Sequence, residues 1–300
     1  GITIGGAVAG CSVESMSFRH GGFHDSCFEY EALTTAGERV RCSPQQDPAL
    51  FESLHGSYGT LGVLTGIGFR LVDAKAFVRL EYLRYPNGPA CSTAITELCA
   101  RGDFDFIDGI AHSPTEYVLC IGRFVDTVPY VSDYTGEHIF YKSTRERKED
   151  FLSTYDYFFR YDTECHWLTR TVPPLEWGWV RKTIGKPFLG STNLITWSRR
   201  LEKIFAAFLK RPDVVVDVFI PNRQSAPFFA WYEQTFDYWP LWLVPYRMKP
   251  KYAWIDPTHA AKMGDELFLD CAVYGKRNGR ADVDYSQLLE AKTYELGGIK

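Results

Sequence analysis

The chain has 300 residues, 45% apolar and 16% aromatic, enough to fill the core of one large domain or two ordinary ones. A net charge of −4 gives no basic field for phosphate backbones, which argues against nucleic-acid binding. Eight cysteines without a C-x-x-C pair or a dense cluster read as reduced thiols of a cytosolic-type compartment, and no long apolar run predicts a membrane span.

In chain order, the first stretch to stand out runs from Thr3 to Ser15, Thr-Ile-Gly-Gly-Ala-Val-Ala-Gly-Cys-Ser-Val-Glu-Ser. Gly5, Gly6 and Gly10 carry no Cβ, so a loop here can take positive φ and bring bare backbone against an anionic or flat ligand. Their spacing is not the G-x-G-x-x-G of a dinucleotide fold. Cys27 to Thr35 and Glu38 to Ser43 alternate on either side of Ala36-Gly37 and predict a hairpin. Asp47-Pro48 then caps a short helix whose apolar face is Ala49, Leu50, Phe51 and Leu54. Val63 to Val72 reads as a buried strand, thinned by Gly66 and Gly68 where another backbone or a ligand approaches.

A long strand follows from Ala76 to Tyr85, then a helix from Pro89 to Arg101 closed by Gly102. Phe104 to Ala111 and Tyr117 to Val125 alternate as antiparallel strands. From Arg145 to Lys210 the pattern is helical, irregular and aromatic, broken at Pro173-Pro174 and Pro187. Strands return at Val214 to Ile220, Pro240 to Met248 and Glu266 to Tyr274. A helix from Ser225 to Phe236, with Ser225 as its cap, joins the first two, and a last helix spans Tyr285 to Leu296. Strands and helices without strict alternation predict an α+β fold.

Four pieces come in an order that resembles the vanillyl-alcohol-oxidase-type (PCMH-type) FAD-binding oxidoreductases. They are the glycine-rich stretch, Arg19-His20-Gly21-Gly22-Phe23, the Glu31 to Ser43 hairpin, and Gly59-Thr60-Leu61-Gly62-Val63-Leu64-Thr65. Within that family the resemblance is to the delta(24)-sterol reductases, carried further by Asp217-Val218-Phe219-Ile220-Pro221 and by Glu266 to Gly275. It implies that residues 1–73 are the second half of an FAD-binding domain. Residues 74–300 would then be a substrate or cap domain with an antiparallel sheet and flanking helices laid over the flavin. It also implies a piece of a longer protein, lacking the preceding unit with the pyrophosphate loop and a C-terminal continuation. A membrane anchor or covalent flavin attachment point would lie in the part upstream, placing the protein in the cytoplasm or on the cytosolic face of a membrane.

The resemblance carries cofactor contacts onto Thr3, Gly5, Gly6, Gly10, Val13, Glu14 and Ser15, and onto Gly59, Thr60, Gly62, Val63 and Thr65. It implies hydride transfer between flavin N5 and a lipid-like double bond, with NADPH as reductant. Two other readings stay open: an FAD oxidase or dehydrogenase of an alcohol carbon, and a fragment acting only as a binding module. A hydride delivered to one alkene carbon needs an acid for the other. Alternation in Glu266 to Tyr274 puts Asp270 and Tyr274 on one face with Phe268 and Ala272, which makes both candidate general acids. A structural hydrogen bond is the role that the residues alone favour for each. Arg223 and Tyr246 are weaker candidates. His20 and His24 have no ligand partners at metal spacing, so no metal is expected. Trp167, Trp177, Trp179 and Trp197 suit packing, or an extended lipid ligand.

Overall fold

Thr3 is extended, and its side chain accepts a hydrogen bond from Gly6 N at 3.1 Å, so the glycine-rich stretch opens not as a loop but as a capped helix, Ile4–Ala9. This corrects the expected positive φ at Gly5, Gly6 and Gly10. The chain turns left-handed at Cys11 instead, with φ 48°. The reason is local, since Ile4, Ala7, Val8 and Ala9 sustain a helical turn once Thr3 caps it. The computed structural model describes residues 2–134, 139–161, 177–184, 213–248, 252, 255–264 and 266–300, with residues 193, 196 and 200. Trp167, Trp197 and most of the aromatic insert lie outside the described residues.

Next comes a three-stranded antiparallel sheet of order β2-β1-β3, with β1 at Cys27–Thr34, β2 at Arg39–Cys42 and β3 at Gly62–Phe69. Gly37, at φ 81°, closes the predicted hairpin. Asp47 caps the Pro48–Ser53 helix as expected. One face of this sheet buries Tyr30, Ala32 and Cys42 against Val8, Phe51 and Leu54. The expectation of a buried β3 is corrected. As an edge strand it has one packed side, and Val63 is 63% exposed.

The larger sheet has seven antiparallel strands in the order β7-β4-β6-β5-β9-β10-β8. They are β4 at Phe77–Tyr85, β5 at Phe106–Ser113, β6 at Glu116–Val125, β7 at Glu149–Ser153, β8 at Val214–Pro221, β9 at Leu241–Arg247 and β10 at Leu267–Lys276. Strand β7 falls where the sequence reads as helical. It is recruited by pairing with β4 from Phe77↔Ser153 to Glu81↔Glu149. The fold is α+β, as expected.

Helices Gly88–Arg101, Ser225–Trp231 and Tyr285–Glu295 cover one face of this sheet, where Ile95, Leu98, Phe228, Phe229 and Leu289 meet Leu243, Leu269, Cys271 and Val273. Asn87 caps the first of these helices and Gly102, at φ 67°, ends it. Ser225 does not cap the second. It is the first helical residue, and its hydroxyl donates to Asn222 O at 2.7 Å and bonds Ser92 Oγ at 2.5 Å.

The opposite face presents Asp108, Ile110, Trp242, Val244, Tyr246, Phe268, Asp270 and Tyr274, and there the N-terminal segment docks. Strands β5 and β9 pair at Gly109↔Leu243, which sets Ile107 against Pro245. Proline has no N–H to donate, so the ladder stops. Ser15 O takes the place instead, accepting from Ile107 N at 2.8 Å. Arg247 Nε donates to Phe18 O at 3.2 Å, and the Tyr252 hydroxyl donates to Asp25 Oδ1 at 3.0 Å. Among the described residues, no helix is long and apolar enough to cross a membrane.

Candidate functional site

Between the docked segment and the sheet lies a cavity of about 150 Å³, lined by Glu14, Ile110, Tyr141, Tyr161, Pro240, Trp242 and Tyr274. A wider recess of about 470 Å³ adjoins it through Tyr141 and Pro240 and adds His112, Lys142, Arg145, Glu146 and Trp239. The cavity is therefore mostly aromatic, with one carboxyl, that of Glu14, and three phenols, those of Tyr141, Tyr161 and Tyr274, among its walls.

Glu14 follows the glycine-rich helix and its carboxyl accepts from Ser15 N at 3.2 Å. The side chain is 60% accessible although protein surrounds it, because it opens into the cavity. Desolvation pushes its pKa up, and Arg160 at 3.6 Å works in the other direction. Arg160 is buried between Glu14 and Asp108, 3.0 Å from the latter, and its guanidinium lies over the Tyr157 and Tyr161 rings. Asp108 Oδ2 also accepts from Trp242 Nε1 at 3.0 Å and from the Tyr161 hydroxyl at 3.3 Å. One buried carboxylate thus orients two of the cavity's aromatic walls. Asp108 Oδ1 has no hydrogen-bond partner among the described residues. Trp242→Phe, which removes a donor from this carboxylate, is expected to cost about 1–3 kcal/mol of stability in urea denaturation.

Asp270 and Tyr274 both face the side of the N-terminal segment, away from the helices. Tyr274 reaches the cavity. Asp270 is 1% exposed and both its oxygens lack a hydrogen-bond partner among the described residues. Burial holds its pKa well above the usual carboxyl range, and the neighbouring Asp217 and Glu14 push the same way. Asp270 therefore stands behind the cavity rather than in it, so the enclosed carboxyl is not placed to touch a bound molecule.

A second cavity of about 560 Å³ is lined by Gly10, Cys11, Ser53, His55 to Tyr58, Val215 to Asp217, Phe219 and Lys300. Burial pushes the Cys11 thiol up to about 12, so it is not a reactive thiolate. Between the small sheet and the large one the His24 and His55 rings lie tilted to one another with centroids 5.1 Å apart, both held down to about 4, first by burial. Asp25 beside them also accepts weakly from the Tyr246 hydroxyl at 3.4 Å, a bond that joins the N-terminal segment to the sheet.

The residues expected from the sequence divide into groups. Glu14 is at the first cavity, Ser15 is buried behind it against the Tyr157 hydroxyl at 2.9 Å, and Val13 packs beside Phe219 and Tyr246. Gly10 is at the second cavity, while Thr3 is spent on its cap. Gly59 and Thr60 follow that cavity's Tyr58 wall, with Thr60 Oγ1 donating to Ser57 O at 2.7 Å. Gly62, Val63 and Thr65 run outward along β3, where Thr65 Oγ1 donates to Glu31 Oε1 at 2.9 Å. Arg223 binds Lys262 O at 2.8 Å and takes no part in either cavity. Trp177 and Trp179 are 52% and 67% exposed, which corrects their expected burial. Sequence reasoning missed Asp108, Arg160, Tyr161 and Trp242. A lone carboxylate inside the apolar run Phe106-Ile107-Asp108-Gly109-Ile110 was the readable signal.

The antiparallel sheet with flanking helices is consistent with the α+β fold that the resemblance implies. No family model matches the chain. The delta(24)-sterol reductase of Mus musculus is 25% identical over 296 residues, covering 92% of this chain and 54% of the relative. That of Homo sapiens is 24% identical over 294 residues, with the same two shares, 92% and 54%. A cytokinin dehydrogenase of Oryza sativa subsp. japonica is 30% identical over 112 residues, 36% of this chain and 20% of the relative. The resemblance to the delta(24)-sterol reductases is borne out, and the chain spans about half the length of the curated relatives it matches.

Proposed function

We propose that this chain is the flavin-facing and substrate-covering part of an FAD-dependent oxidoreductase that reduces a carbon–carbon double bond of a lipid-like, sterol-type molecule, with NADPH as reductant. The observation that carries the reading is the meeting of Glu14, from the glycine-rich segment, with Tyr274, from the strand that the resemblance assigns to the cap, at one aromatic cavity. On this reading residues 1–73 complete a PCMH-type FAD-binding domain and residues 74–300 form the cap.

The residues present fit the cofactor. A Cβ at Gly5 or at Gly59 would meet no atom within 4 Å, so both leave open backbone on which a flat or anionic group can lie. Bound there, FAD would supply a hydride at N5. The chain's own residues supply the rest: Trp242, Tyr161, Tyr141 and Ile110 exclude water from an apolar substrate, and Tyr274 offers the proton for the second carbon.

The test is made on the full-length protein with FAD bound and oxygen excluded. NADPH is expected to bleach the flavin absorbance, and a sterol with a side-chain double bond to restore it. Bleaching by an alcohol but not by NADPH would instead support the oxidase or dehydrogenase reading, and a purified protein that binds no flavin would support a binding module.

A further inference from the structure

The aromatic cavity, at about 150 Å³, is smaller than the roughly 300–1,000 Å³ of sites that enclose a whole small-molecule ligand. A sterol-type substrate therefore places only its alkene end there, and the rest continues into the recess of about 470 Å³ that shares Tyr141 and Pro240 with it. The lining of that recess decides what the other end can be.

His112 lines the recess from the end of β5. The register of β5 with β6 shifts between Ala111 and Ser113, which makes His112 the extra residue of a β-bulge, a device that re-aims a side chain. Its Nε2 lies 3.0 Å from Thr144 Oγ1, and the Thr144 hydroxyl donates to Tyr141 O at 2.8 Å. A hydroxyl has one proton to give, so Thr144 accepts from His112 and Nε2 is the nitrogen that carries the hydrogen. The free lone pair of the ring is then on Nδ1. Burial first, and then the nearby Arg145, hold the imidazole down to about 4, so above that pH it is neutral. The charges around it balance: Arg145 is held by Glu116 in a two-armed pair at 3.0 and 2.5 Å, and Lys142 shares the lining with Glu146. An anionic end finds no net attraction in this recess, whereas a hydroxyl finds an acceptor.

We propose that His112 is a specificity-determining residue that reads the alcohol end of the substrate, accepting its hydroxyl proton in a hydrogen bond at Nδ1 while the alkene end lies in the aromatic cavity. Continuing the pairs Ala111↔Leu241 and Ala272↔Trp242 along their strands puts His112 and Tyr274 on either side of Pro240, two strand spacings or about 10 Å apart at the backbone. One extended molecule spans them, and a small one does not. The inference deepens the reductase reading above and rests on it for the substrate class.

The test uses the full-length holoenzyme and three ligands: a saturated sterol, its ring ketone, which is nearly the same size but has no hydroxyl proton, and its sulfate ester. In equilibrium binding, the wild type is expected to hold the alcohol about fivefold more tightly than the ketone, the usual worth of one neutral hydrogen bond, and the sulfate ester no more tightly than the alcohol. His112→Phe should lose this preference by weakening the alcohol alone, and His112→Asn, whose side-chain oxygen also accepts, should keep part of it. In turnover of a sterol with a side-chain double bond, His112→Phe should raise KM about fivefold and leave kcat within about twofold. A wild type that does not distinguish alcohol from ketone overturns the assignment, and so does a His112→Phe loss equal for both ligands or a preference for the sulfate ester. The reductase reading survives each of these results and falls instead if the holoenzyme reduces no alkene, while the binding arm, measured without turnover, still decides the role of His112.

Discussion

Arg160→Leu is expected to destabilise the folded protein by about 3–5 kcal/mol, the usual cost of removing one partner from a buried ion pair. The guanidinium lies 3.0 Å from Asp108 with both side chains buried, and Asp108 already has one oxygen without a partner among the described residues. Leucine would leave a carboxylate in the core with Trp242 and Tyr161 as its remaining donors, neither of them charged. Urea denaturation of the single and double variants checks this. Asp108→Asn placed on top of Arg160→Leu should recover much of the loss, because the neutral amide no longer needs a counter-charge. A single variant within about 0.5 kcal/mol of wild type, the range of ordinary surface substitutions, would show that Asp108 is not held as a charged partner. Arg160 also lowers the Glu14 pKa, so the same variant should leave the Glu14 carboxyl protonated to higher pH.

How much could be read beforehand follows from which interactions are local. The β1–β2 hairpin was legible because alternation and Gly37 agree, the Pro48–Ser53 helix because Asp47 caps it, and the Gly88–Arg101 helix because Gly102 closes it. Strand β7 was not legible. Its Glu149-Asp150 start carries two charges, and it persists because Asp150 is satisfied from outside the strand by Ser132, Tyr134 and Arg147. The glycine-rich stretch was read for its permissive backbone, yet Thr3 as a cap and the residues between the glycines made it helical. For the site, alternation was enough to put Asp270 and Tyr274 on the same face. That Tyr274 lines the cavity while Asp270 is enclosed depends on Glu14, Trp242 and β8 closing around them, which no spacing in β10 encodes. Arg160 gave no signal, because its partners Asp108 and Glu14 come from a different strand and from the N-terminal segment.

Asp270→Asn is expected to stabilise the protein at alkaline pH and to change little at acid pH. The folded carboxyl has its pKa raised, first by burial and then by Asp217 and Glu14. Below the ordinary carboxyl range, about pH 4, folded and unfolded chains both hold this proton and Asp270 carries no penalty. As pH rises above that, the unfolded chain releases the proton and the folded chain keeps it, so stability falls until the folded pKa is passed. Glu14 and Asp217, whose pKa values are also raised, give slopes of the same sign, so the wild-type curve alone does not isolate one group. The difference between wild type and Asp270→Asn does. Denaturation midpoints taken from about pH 4 to pH 8 should start close together and then separate, with the variant more stable by about 1–3 kcal/mol at the upper end. Parallel curves would mean that Asp270 finds a partner or water in solution and ionises normally. A gap that widens with pH would show a strand tolerating a destabilising acid at one position behind the aromatic cavity, where its ionisation is opposed first by burial and then by Asp217 and Glu14.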